Sequence, residues 1–373
     1  MKVLVVGNGG RESALAWGLS KSRLVSEVVC APGNPGMAEF GECRPVPVDD
    51  LEGIADLARR INVALVVVGP EAPLSAGLVD LLTERGIRVF GPSSAGAQLE
   101  SSKSFAKQLM RRHGIPTASS EEFDRADEAL EFVSKREGPL VVKADGLAQG
   151  KGVTVCEDAT AAKKAIVEAM EARRFGDSGK RVLVEECLEG EELSLLMMFD
   201  GSRGLPLEPA QDYKRIFDGD QGPNTGGIGS YSPVPACTRE VYERILDEIL
   251  DPVADALKKE GIPYLGIIYA GLMLTSTGPK VIEFNCRFGD PETQALMPRL
   301  VSDFGEAVLA CVEGDLQSVQ LEWSRQACVS VVAASAGYPG DFAKGFPIEG
   351  LKEAEALMPR LKSDLAELLL ACV

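Results

Sequence analysis

A chain of 373 residues with 45% hydrophobic, 25% charged and 6% aromatic content has the make-up of a soluble enzyme of about two to four domains. Its formal net charge of −17 removes nucleic acid and acidic membranes from the partners to be expected, because both need a basic surface. The nine cysteines are scattered without a C-x-x-C pair, a reduced cytoplasmic pattern and not a disulfide framework or a zinc site. The single histidine, His113, stands before a glycine stop in RRHGIP, which argues against histidine triads and multi-histidine metal sites. After Met1 and Lys2 only four apolar residues precede Gly7, too few for a signal segment, and no apolar run approaches membrane-spanning length.

The first hundred residues alternate strand and helix. Strands are predicted at 3–6, 27–30, 64–68 and 88–90, each running into a glycine-containing turn, with a helix over 11–21. That order implies a parallel sheet with ligands beyond the carboxyl ends of its strands. The first turn, GNGGRE, departs from a dinucleotide fingerprint, since Glu12 stands where the third glycine belongs and would repel a pyrophosphate. A single phosphate on the amides of Gly9 and Gly10 beside Arg11 is the easier reading, with a purely structural turn as the alternative.

The middle of the chain carries nucleotide signals. A helix capped by Ser101 or Ser102 runs to His113 with Lys103 in its first turn, a position that favours a ligand anion over the bare helix dipole. A further helix is expected over about 126–136. The strand Leu140–Lys143 then leads into ADGLAQGKGVTV, where Gly150, Lys151 and Gly152 suit a lid whose amides cover phosphates, with Lys143 anchored on the strand. It is not a Walker A loop, which needs Ser or Thr at 152 and a following helix; a plain hairpin loop is the alternative. A helix over 159–173 and strands over 181–185 and 193–199 flank EECLEGEEL, either a solvated acidic turn or a hinge that cups a nucleotide.

QDYKRIFDGDQGPNTGGIGSYSP at 211–233 reads as a long functional loop, too rich in glycine for a helix or core strand. Asp212 and Lys214 within it are candidate catalytic residues, and Asn224, Gly226 and Gly227 candidate substrate contacts. A helix over 239–260 and strands over 266–274 and 281–284 follow. The last strand delivers Glu283, Asn285, Arg287, Asp290 and Glu292 in KVIEFNCRFGDPE. Residues two apart share a face, so Glu283, Asn285 and, if the strand continues, Arg287 form a set fit for a hard cation beside an anionic substrate. In the bland reading Arg287 is a structural partner of Asp290 or Glu292.

These motifs together carry a resemblance. VLVVGNGGRESALAW, APGNPG, VVKADGLAQGKGV, EECLEGEELS, the 211–233 segment, YAGLML and KVIEFNCRFGDPETQ resemble, in order and spacing over residues 1 to about 340, the phosphoribosylamine–glycine ligases of the ATP-grasp family. The resemblance implies an α/β chain, α+β in its nucleotide-binding part: a Rossmann-like domain over 1–100, a lid subdomain over 101–190, a catalytic subdomain over 191–315 and a C-terminal segment over 316–373. It implies ATP as co-substrate, Mg²⁺ or Mn²⁺, the small-molecule substrates glycine and 5-phosphoribosylamine, and a cytoplasmic monomer or weak homodimer. Carried over by position, Lys103 and Lys143 meet ATP phosphates. Glu185, Glu186, Leu188 and Glu192 form the adenosine hinge, and Glu283 and Asn285 hold the metal. Arg287 meets the carboxylate substrate, while Gly9, Gly10, Arg11 and Glu71 meet the phosphoribosylamine, with Asp290 also on the substrate side.

Two departures stand out. Ser13 replaces the histidine usual in the family's GGREHA turn, and ALMPRLKSDLAELLLACV at 356–373 echoes ALMPRLVSDFGEAVLACV at 295–312 where the family's chains continue differently. The C-terminal layer is therefore expected to be incomplete. Another ATP-grasp ligase or carboxylase, or a nucleotide-binding protein without turnover, are the alternatives.

Overall fold

The computed structural model describes residues 1–148, 152–219 and 221–351, together with 353, 354, 356 and 368–372. Gly150 and Lys151, and most of the 356–373 echo, lie outside the described residues.

The first five strands are β1 (Lys2–Gly7), β2 (Glu27–Pro32), β3 (Glu42–Cys43), β4 (Leu65–Val68) and β5 (Val89–Phe90). They form one parallel sheet in the order β3-β2-β1-β4-β5. Leu4, Val6, Val66 and Val68 face one apolar cluster, and Val3, Val5, Leu65 and Val67 face another. Both faces are covered, which is why these strands are continuously apolar. The carboxyl ends of β1 and β4 run into the helices Gly10–Ser20 and Glu71–Ser75, placing Arg11 and Glu71 on one rim.

A helix that the sequence reading missed, Ser94–Ser101, precedes Lys103–His113. Ser102 caps the latter, accepting from the Phe105 N–H at 3.2 Å, and Gly114 ends it in the left-handed region at φ +69°. Next come β6 (Ser120–Phe123), β7 (Leu140–Ala144), β8 (Val153–Cys156) and β9 (Val182–Glu186), an antiparallel sheet in the order β6-β9-β7-β8. Helices Ala126–Ser134 and Ala159–Ile166 bury Ala129, Val133, Ala162 and Ile166 against Val142 and Val184, a cluster separate from the other two.

The remaining strands are β10 (Glu191–Phe199), β11 (Gly204–Pro206), β12 (Gln211–Phe217), β13 (Gln221–Ser232), β14 (Gly266–Thr275), β15 (Gly278–Asn285), β16 (Cys328–Ala333) and β17 (Leu368–Cys372). They build two sheets, β11-β10-β14-β15 and β12-β13-β16-β17. The first packs into both clusters of the parallel sheet, with Leu195 and Met197 on one side and Leu196 and Met198 on the other. The expected helix over 239–260 is continuous but passes through a π-helical turn at Leu246–Leu250.

The 211–233 segment is a correction. It is no loop but an antiparallel hairpin, β12 on β13, with register shifts around Arg215. Glycine in β13 serves close approach: a Cβ on Gly227, at φ +117°, would stand 2.4 Å from Pro291 Cδ, and one on Gly229 2.9 Å from the Ser330 carbonyl oxygen.

Candidate active site

A cavity of about 680 Å³ lies where the lid sheet β6–β9, the β10–β15 sheet and the rim of the parallel sheet meet. Lys103 and Lys107 are one helical turn apart, so both project into it from the helix Lys103–His113. Lys103 Nζ donates to the Gly146 carbonyl at 3.3 Å. Burial lowers its pKa most; the Glu283 carboxylate opposes that shift and the Lys143 ammonium adds to it. Lys143, on β7, donates from Nζ to the Ile282 carbonyl at 2.9 Å and pairs with Glu185 Oε2 at 3.0 Å.

Glu185 is the hub of this side. Its Oε2 also lies 3.1 Å from Lys107 Nζ, all three side chains are almost fully buried, and its Oε1 has no hydrogen-bond partner among the described residues. It anchors two lysines, with one oxygen left over. Glu186 is half-exposed and also lines the cavity, its Oε1 accepting from the Ser119 N–H at 3.0 Å and facing Lys280 Nζ at 3.6 Å. Leu188, Glu192 and Gly152 all line the cavity.

The opposite wall is the end of β15. Glu283 is ringed by charge: burial works against its ionisation, yet Lys214, Lys103, Lys143 and Arg287 hold its carboxyl below the ordinary range. Among the described residues none of these cations comes within ion-pair distance of it. Asn285, two residues on, turns Oδ1 to Arg287 Nη2 at 3.2 Å. A carboxylate and an amide oxygen on one strand face, with the carboxylate unpaired at short range, fit a hard divalent cation.

Arg287 lies past the strand's end at Asn285 but stays with the set. Its Nη2 is 3.0 Å from Glu100 Oε1 and its Nε 3.4 Å from Glu71 Oε2, while Nη1 donates to the Phe288 carbonyl at 3.1 Å. Asp290 and Glu292, the structural partners considered from sequence, are engaged elsewhere. Asp290 Oδ1 accepts from Gln294 Nε2 at 2.6 Å, and Glu292 Oε1 accepts from the Tyr269 hydroxyl and from Ser194 Oγ at 3.2 Å. Burial opposes the Arg287 charge, but Glu100 and Glu71 raise its pKa above the usual arginine value.

Lys214 and Asp212 come from β12. Lys214 Nζ meets Glu192 Oε2 at 3.2 Å and Asp212 Oδ2 at 3.9 Å. Burial pushes Asp212 up to about 7; Lys214 opposes this, while Glu292, Glu192 and Glu283 add to it. The pair thus adds one firm cation and a carboxyl near neutrality to the wall that Glu283 shares.

On the parallel-sheet rim the reading of the glycine turn is corrected. The Gly9 N–H is already taken by Glu12 Oε2 at 2.7 Å, and Glu12 packs in the space that a Cβ on Gly7 or Gly69 would fill. Glu12 therefore replaces an anion in the turn, and Gly9 offers no free amide to a phosphate. Gly10, Arg11, Glu71 and Asp290 do line the cavity, with the Arg11 N–H 3.5 Å from Asp290 Oδ2 and Arg11 Nη1 4.0 Å from Glu71. Asn224, Gly226 and Gly227 line it too, but the Gly226 N–H donates to the Tyr338 hydroxyl at 3.0 Å and the Gly227 N–H to Thr225 Oγ1 at 3.0 Å.

Glu100, Lys107 and Tyr338 are among the cavity residues that sequence reasoning missed. Lys107 was legible from its spacing to Lys103. The other two become site residues only through tertiary packing.

A lid sheet and a catalytic sheet that close on facing lysines and a carboxylate-bearing strand end define an ATP-grasp enzyme. Two family models match end to end: the N domain of phosphoribosylglycinamide synthetase over residues 1–100 and its ATP-grasp (A) domain over 101–293. The chain belongs to the phosphoribosylglycinamide synthetase family. It is 50% identical over 360 residues to the phosphoribosylamine–glycine ligase of Pseudomonas aeruginosa, covering 96% of this chain and 84% of that relative. The crystal structure of the phosphoribosylamine–glycine ligase of Thermotoga maritima matches with a TM-score of 0.77 at 35% identity, over 94% of this chain and 86% of that one. The biotin carboxylase domain of the Hydrogenobacter thermophilus 2-oxoglutarate carboxylase, with MgADP, ADP and bicarbonate, matches with a TM-score of 0.66 at 18% identity, over 88% and 73% of the two chains, a likeness of fold alone.

Proposed function

We propose that this chain is an ATP-dependent ligase that joins glycine to 5-phosphoribosylamine, giving glycinamide ribonucleotide, ADP and phosphate in purine biosynthesis. The observation that carries the reading is the convergence of Lys103, Lys143, Glu283 and Arg287 on one cavity, in a chain half identical to ligases of that name. In this reading residues 1–100 present the phosphoribosylamine, 101–190 close over ATP and 191–315 carry the chemistry, while Tyr338, Phe342 and Lys344 of the C-terminal segment line the far side of the cavity. The enzyme works in the cytoplasm, in keeping with the eight free cysteines among the described residues.

The chemistry needs positioning and charge neutralisation more than a protein nucleophile. Lys103 and Lys143 hold the ATP phosphates. Arg287 orients the glycine carboxylate so that one oxygen attacks the γ-phosphorus, the bond to ADP breaks and glycyl phosphate forms. The amine of phosphoribosylamine, presented between Arg11 and Glu71, then attacks the carbonyl carbon; phosphate leaves and the amine gives up a proton. Glu283 and Asn285 would hold a magnesium ion, whose charge would offset that of the phosphates during transfer. Lys214 and Asp212 border the same oxygen-rich wall.

The test is phosphate release from ATP and magnesium with each acceptor in turn. Release that requires glycine and phosphoribosylamine together is expected. Equal release with bicarbonate, or with other amino acids in place of glycine, would overturn the substrate assignment.

A further inference from the structure

Glu100 closes the helix Ser94–Ser101 and is the last residue matched by the N-domain model. Its side chain is 8% exposed and directs both oxygens to the residues that follow Asn285. Oε2 accepts from the Cys286 N–H at 2.8 Å and from Cys286 Sγ at 3.1 Å, while Oε1 lies 3.0 Å from Arg287 Nη2. The chain leaves Glu100 directly into the helix that begins at Lys103, and the Glu100 charge is felt by Lys103 as well as by Arg287. A buried carboxylate is costly unless its partners are well placed. Here every one of those partners belongs to the segment that delivers Arg287. Glu71 approaches the same guanidinium from Nε at 3.4 Å, so Glu100, at 3.0 Å from Nη2, makes the shorter of the two ion pairs.

We propose that Glu100 is a positioning residue for the acceptor carboxylate: by holding Cys286 and Nη2 of Arg287 it fixes the direction in which the guanidinium meets glycine. The proposal rests on the reading of Arg287 as the glycine contact. Glu100 acts through Arg287 and touches no substrate. It joins the end of the N-domain match to the strand end of the catalytic wall.

The test is kinetic and uses the full chain. Glu100→Gln keeps the volume and one acceptor but loses the charge; Glu100→Asp keeps the charge one methylene short. Glu100→Gln is expected to raise the glycine KM about tenfold with the ATP KM changed less than about twofold, and Glu100→Asp to restore part of the loss. In an Arg287→Ala background, Glu100→Gln is expected to add less than about a further twofold, because two residues acting through one contact are not additive. An unchanged glycine KM, an equal rise in the ATP KM, or fully multiplicative effects would each overturn the proposal. So would failure of both Glu100 variants to give folded protein by thermal melting, which would assign Glu100 to stability alone. If Arg287→Ala itself leaves the glycine KM unchanged, the underlying assignment of Arg287 falls, an outcome distinct from a silent Glu100→Gln.

Discussion

The buried group Lys107–Glu185–Lys143 allows a stability prediction with a sign and a size. Glu185→Gln keeps the shape but removes the carboxylate that lies within 3.1 Å of both ammonium groups. Breaking a buried ion pair from one side costs about 3–5 kcal/mol, because the remaining charge stays desolvated. At the scale of this chain that corresponds to a Tm loss of about 4–6 °C. The lysine can limit the damage by shedding its proton. Burial already lowers Lys107 from 10.5 to about 8, with Glu185 opposing the shift and Lys143 adding to it. Removing Glu185 lowers it further.

The pH dependence follows from that direction. A base whose folded pKa is depressed binds fewer protons in the folded state, so stability rises with pH between the folded and unfolded values. In the wild-type chain this window opens at about 8 and closes at 10.5. In Glu185→Gln it opens at lower pH. The Tm gap between wild type and variant should therefore be widest near pH 6 and shrink toward pH 9, measured by calorimetry without nucleotide. A gap below about 1 °C at pH 6, or one that does not change with pH, would refute the reasoning. The first outcome would mean that the pair is worth no more than a surface contact.

Two further outcomes are expected. Glu283→Gln should lower kcat at least about a hundredfold at saturating magnesium, since it removes the charged half of a two-ligand set where phosphoryl charge develops; near-normal turnover would remove Glu283 from the metal site. Gly227→Ala should cost about 1–3 kcal/mol in urea melts, because φ is +117° and the new Cβ would meet Pro291 Cδ at 2.4 Å; an unchanged midpoint would show that β13 can move away.

Much of the architecture is legible in local pattern. The continuous apolar runs of β1 and β4 announce a sheet covered on both faces, and KVIEFN announces a strand with Glu283 and Asn285 on one side. The 211–233 segment was misread because glycine content outweighed an alternation that is present: from Tyr213 to Phe217 exposure alternates residue by residue. Glycine there answers to a neighbour, Pro291, whose approach no local pattern announces. Glu12 is the same lesson with the opposite sign. Its charge speaks against a pyrophosphate but says nothing of its own partner: Glu12 folds back onto the Gly9 N–H and pairs with Arg11.

Arg287 shows where spacing stops being informative. Period-two reasoning places it beside Asn285, and the 3.2 Å contact agrees even though the strand has ended. Its state, however, is set by Glu71 at the start of a helix after β4 and by Glu100 at the end of the helix before Lys103. Two carboxylates against one guanidinium leave a net negative surround, which stabilises the arginine but competes with any substrate carboxylate for its donors. Glycine can bind there only if other cations offset that competition. Lys214, Lys103 and Lys143 are the cations gathered on the neighbouring Glu283. The excess of positive charge around Glu283 and the excess of negative charge around Arg287 are therefore complementary halves of one arrangement. In the proposed reading the first is satisfied by ATP phosphate oxygens, and their arrival makes room for a second anion at Arg287. Glycine affinity should accordingly rise when nucleotide and magnesium are bound; calorimetric titration of glycine showing equal affinity with and without them would break that coupling.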